Sequence, residues 1–98
     1  MDNRPSVDFN RVSDFITQTL AQVKAQLEED TAGFVRHYLD HAEYEMVFEG
    51  LFIGIMKLPY RPAIDLATAL TIASDLRLDQ EAMYDAFFFN NLCTYAAH

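Results

Sequence analysis

His37 and His41 stand four residues apart with Asp40 and Glu45 close by, a spacing at which two imidazoles on one helix can share a metal ion. The same stretch argues against that geometry. Asp40 and Glu43 precede a hydrophobic run in the arrangement of a capping box, which would break the helix between the two histidines. No HExxH motif occurs, and the only other histidine is His98, so no resident metal is expected. Cys93 sits in the apolar stretch FFFNNLCTYAAH without a neighbouring base to activate it, and is expected to be packing rather than a nucleophile. Neither a phosphate-cradling glycine loop nor a nucleophile elbow is present. The expectation is a protein without catalytic residues or cofactor, not an enzyme.

The carboxylates are distributed unevenly. Asp40, Glu43, Glu45 and Glu49 lie between Arg36 and Lys57 with no base among them, and Asp79, Glu81 and Asp85 follow Arg77 in the same way. Glu45 and Glu49 are four apart, where like charges on one helix repel. Two readings stay open. The acids form a solvated face that keeps the protein soluble, or they form a docking surface that steers a basic partner. On the second reading the contact residues are Asp40, Glu45, Glu49, Asp79, Glu81 and Asp85.

Helices must position these groups. Phe9, Val12, Ile16, Leu20, Val23 and Leu27 recur at spacings of three and four, predicting an amphipathic helix over 7–29 that starts near Ser6 and Asp8. Phe34, Val35, Tyr38 and Leu39 mark a short second helix. A third, over 42–58, carries Tyr44, Val47, Phe48, Leu51, Ile55 and Leu58 on one face, and Phe52, Ile53 and Met56 widen its apolar arc. That helix is expected to be central and buried on more than one side. Within it Gly50 and Gly54 suit close packing against a neighbouring helix rather than a dimer seam. Pro59 ends the third helix, and Pro62 suits the first turn of a fourth marked by Ala63, Leu66, Leu70, Ala73 and Leu76. Asp79 is the expected cap of a fifth helix over 80–95, whose apolar residues point in nearly every direction. Three consecutive Phe, 87–89, cannot all face one core: the helix is sandwiched in the bundle, or part of it covers a partner or a second copy. No period-two strand is found. The fold expected is all-α, a compact bundle of about five helices in one domain spanning 1–98.

Composition narrows the function further. Ninety-eight residues with 51% hydrophobic content are too apolar for a disordered acidic tail. Seven basic residues and a net charge of −8 argue against nucleic acid as a direct ligand. A single cysteine excludes a disulfide framework. The longest apolar run, GLFIGIM from Gly50 to Met56, is far short of a membrane span, and the N-terminal residues lack a signal core. The cytoplasm is the expected compartment.

The segment YLDHAEYEMVFEGL, Tyr38 to Leu51, resembles the YxxHxEYExAxExL region of small helical bacterial immunity proteins of the MafI and contact-dependent-inhibition type. Val47 stands where that pattern has Ala. The resemblance implies a non-enzymatic helical protein that neutralises a cognate toxin, commonly a nuclease, by binding its basic domain in the cytosol. It implies Glu43 as a cap, Tyr44, Phe48 and Leu51 as core, and Glu45 and Glu49 as contacts. The alternative is a structural or regulatory module, a homodimer joined through the aromatic C-terminal helix.

Overall fold

The computed structural model describes residues 7–97, a bundle of five helices with no strand among them. Helix α1 spans Phe9–Val23, α2 Glu29–Asp40, α3 Tyr44–Met56, α4 Leu66–Asp75 and α5 Phe88–Ala97. Ser6 and His98 lie outside the described residues. The Cα radius of gyration is 12.6 Å, close to the roughly 13 Å expected of a compact chain this long.

Helix α3 is the axis. It packs against α1, α2 and α5, and α4 closes the bundle against α5. The α1 stripe of Val12, Ile16, Leu20 and Val23 is buried, as are Val47, Phe48, Leu51, Phe52 and Ile55 from α3. Phe48 stacks on Phe52 at 4.6 Å between ring centroids and meets Phe88 edge-on at 6.3 Å, which joins α3 to α5. Gly50 and Gly54 face α2: a Cβ on Gly50 would stand 2.6 Å from Cε1 of Phe34, and one on Gly54 3.0 Å from Cγ2 of Thr31. The two glycines serve close packing within the chain, as their spacing suggests.

The helix ends differ from expectation at four places: α1 stops at Val23 rather than near residue 29, and the starts of α3, α4 and α5 are displaced. Asp8 caps α1, its carboxylate accepting from the Arg11 N–H at 3.1 Å. Asp40 is not the cap of α3 but the last residue of α2. Behind it, Ala42 adopts φ 57°, the Glu43 N–H donates to the Tyr38 carbonyl, and the Ala42 N–H donates to that of Leu39. That left-handed closure of α2 supplies the turn that a capping box would have made, and Glu43 stands at the N-cap position of α3 without a side-chain cap bond.

Helix α4 starts at Leu66 rather than at Pro62. Asp65 accepts from both the backbone N–H (3.0 Å) and the hydroxyl (2.6 Å) of Thr68, a stronger start signal than a proline. The chain before it is held non-helical: Gln22 donates to the Ala63 carbonyl, and Arg61 donates to that of Tyr95 at 2.6 Å with its guanidinium over the Tyr95 ring. Helix α5 starts at Phe88 and not after Asp79, which leaves residues 79–87 as a loop.

Candidate partner-binding surface

The loop between α4 and α5 is where chemistry and exposure meet. It begins at Arg77, the left-handed closure of α4 with φ 61°, whose N–H donates to the Ser74 carbonyl while Leu78 N–H reaches that of Ala73. It ends at Asp85, whose carboxylate accepts from the Phe87 N–H at 2.8 Å and from the Asn91 side chain at 3.3 Å, capping α5. Gln80 to Ala86 have good helix formers among them, so local propensity alone favours the helix the sequence suggests. One tertiary contact overrides it.

That contact is Glu49. Its side chain is fully buried, and the carboxylate accepts three backbone N–H groups in succession: Met83 on Oε1 at 2.7 Å, Tyr84 on Oε2 at 2.7 Å and Asp85 on Oε2 at 2.8 Å. Convergent backbone N–H groups form an anion-binding concavity, here filled by the protein's own side chain. Glu49 is therefore corrected from an exposed contact residue to an internal latch. A helix whose apolar arc runs most of the way round buries whatever polar group lies in it, and such a group needs partners.

The latched loop displays Met83, Tyr84 and Phe87, which are 56, 50 and 67% exposed. Phe88 beside them is buried and Phe89 partly so, which resolves the three-Phe problem by leaving only Phe87 outside. The Tyr84 ring meets Phe34 edge-on at 5.9 Å, and Phe34 rests over Gly50. Partial burial pushes the Tyr84 hydroxyl above its ordinary 10.0, with Tyr38 and Glu49 adding to the shift, so it stays a neutral donor at physiological pH.

Two depressions flank the loop. On one side, Glu43, Glu45, Asp75 and Glu81 line a cleft of about 410 Å³ together with Arg77 and Met83. On the other, Asp30, Thr31, Phe34, Gly50, Ile53 and Tyr84 line a mostly apolar groove between α2 and α3.

Of the six acids expected at a docking face, Glu45 and Glu81 are brought together at the cleft. Asp40 is exposed at the end of α2, and Asp79 is exposed early in the loop. Asp85 is half-buried and engaged as a cap. Glu43 at the cleft entered the sequence reading as a cap and Phe87 as one of three consecutive Phe in the last helix, while Asp75, Met83 and Tyr84 were not singled out as contacts. The one signal for the displayed apolar groups was the excess of aromatics in the last quarter of the chain.

The histidines are separated by a helix end, as expected, though Asp40 closes α2 rather than opening α3: His37 lies in the last turn and His41 is the C-cap beyond it, with the rings 4.7 Å apart. Among the described residues no group of three or more His, Cys, Asp or Glu side chains is placed to hold a metal ion. Cys93 is a free, half-buried thiol. Among the described residues no helix is long and apolar enough to cross a membrane. No family model, curated protein or solved structure matches the chain.

Proposed function

We propose that the protein is a binding inhibitor of the immunity type, which neutralises a basic toxin domain, a nuclease in the leading form of the reading, by docking its loop and acidic cleft against it. The observation that carries the reading is the Glu49 latch: three consecutive backbone N–H groups are fixed so that Met83, Tyr84 and Phe87 stand in solvent. Aromatic residues and Met are the side chains enriched at the centres of protein interfaces, and a loop fixed before binding loses little further entropy on docking. The acids of the adjoining cleft favour a basic partner and speed its approach. Inhibition by occlusion needs no catalytic residue. Because a toxin that cleaves nucleic acid carries a cationic cleft for phosphates, a surface of opposite charge suits it.

The test is binding to the basic domain encoded by the neighbouring reading frame, compared across two paired variants. Reversing the cleft charges with Glu45→Lys and Glu81→Lys should slow association about tenfold at low salt, with the difference shrinking as salt is raised. Met83→Ser with Phe87→Ser should act on dissociation instead. If both pairs bind like the parent protein, the surface is misassigned.

A second reading, self-association through the same exposed side chains, is favoured by their size alone. Phe88 and Leu92 of α5 are consumed by the core, so a dimer through this region would use the loop rather than the helix. Sedimentation showing a monomer at every concentration removes it.

A further inference from the structure

The C-terminal end of α2, its last turn and its C-cap residue, offers a ligand pair that the proposed docking function does not use. His37 and His41 are both exposed, four residues apart, with tilted rings whose centroids are 4.7 Å apart. The Nδ1 of His41 lies 2.8 Å from the backbone carbonyl oxygen of His37. A carbonyl only accepts, so Nδ1 carries the proton and the lone pair of the neutral ring is on Nε2. That arrangement, one ring nitrogen donating to a backbone carbonyl and the other left free, is how metal-bound histidines are usually oriented.

The ring separation also fits. An ion held about 2.0–2.1 Å from each nitrogen lies roughly 3.2 Å from each ring centroid, and ligand angles of roughly 90–110° then place the centroids about 4.5–5.2 Å apart. The observed 4.7 Å falls inside that interval.

We infer that His37 and His41 form a two-ligand surface site for a divalent transition metal of the zinc and copper class. Imidazole nitrogens select these ions over magnesium or calcium, and copper should bind more tightly than zinc. With two protein ligands the remaining positions belong to water or to a donor from a second molecule, so the site is an open one.

Titration of tag-free protein with zinc chloride and with copper chloride tests this. The expected result is one ion per chain, with copper broadening amide signals around His37 and His41 and leaving those of the 79–87 loop intact. His37→Ala and His41→Ala should each weaken binding at least about tenfold, and both should abolish the rise in Tm that zinc gives the parent protein. Both side chains are exposed, so the variants should fold as the parent does. Unchanged affinity in both variants, loss of binding only with His98→Ala, or no uptake at a hundredfold excess of either ion would each overturn the site. None of these outcomes bears on the docking surface, which is read by partner binding alone.

Discussion

Replacing Glu49 with Gln removes one charge and keeps the shape, so it isolates what the carboxylate does for the loop. Oε1 accepts from Met83, while Oε2 accepts from both Tyr84 and Asp85. An amide has one oxygen. In its better orientation Gln keeps the two bonds at the Oε2 position and turns its NH₂ group toward the Met83 N–H, donor against donor. Hydrogen bonds to a charged group contribute roughly 1.5–3 kcal/mol and neutral ones about 1, so the two retained bonds lose about 2 kcal/mol between them. The unsatisfied Met83 N–H adds roughly 1–3 kcal/mol, and the smaller desolvation cost of a neutral amide returns part of the sum. A net loss of about 3 kcal/mol is expected, a large fraction of the roughly 5–15 kcal/mol typical of a domain this size. Urea unfolding should show the loss, and hydrogen exchange should show the Met83, Tyr84 and Asp85 amides opening well before the α3 core. Glu49→Asp, which keeps the charge and shortens the reach, should behave similarly. A change under about 0.5 kcal/mol with the three amides still protected would mean the latch does not hold the loop.

Three further outcomes follow from backbone, packing and charge. Ala42 at φ 57° is a left-handed residue with a Cβ, so Ala42→Gly should stabilise by about 0.5–1 kcal/mol, seen as a rise in Tm of a few degrees; a fall would refute the strain. Gly50→Ala places a methyl 2.6 Å from the Phe34 ring, which bears on Tyr84, so NMR should show displaced Phe34 and Tyr84 signals with a stability loss of roughly 1–3 kcal/mol. Unshifted Tyr84 signals would break that chain of contacts. The Thr68 hydroxyl and N–H hold Asp65 below its usual 3.8, so its contribution to stability is present above that pH and is lost as pH falls through the lowered value. Stability of the parent relative to Asp65→Asn should therefore decline below about pH 4, and a pH-independent difference would contradict it.

The local signals in the sequence carried much of this fold. The three-and-four stripe of α1 and the wide apolar arc of α3 are properties of single helices, and both elements appear within the spans their patterns mark, α1 stopping at Val23, short of residue 29. The failures are non-local. Glu49 lies 34 to 36 residues from its three donors, and nothing in the residues around it distinguishes a latch from a solvated acid beside Glu45. The breadth of the α3 arc was the one available clue, since it left little surface for Glu49 to occupy. Residues 80–86 fail for the complementary reason: their composition suits a helix, and the distant carboxylate withdraws the Met83, Tyr84 and Asp85 N–H groups from it. Asp40 and Asp65 show competition between caps, where a left-handed Ala42 displaced one start signal and Thr68 strengthened another.

The latch grips main-chain atoms alone, and the identity of the side chains it presents is left almost unspecified. Met83 and Phe87 point into solvent, so exchanging them alters the face shown outward while the loop keeps its path. The region is thus a cassette: a fixed frame with replaceable contents, whose outward face two or three substitutions would change without redesign of the helices beneath.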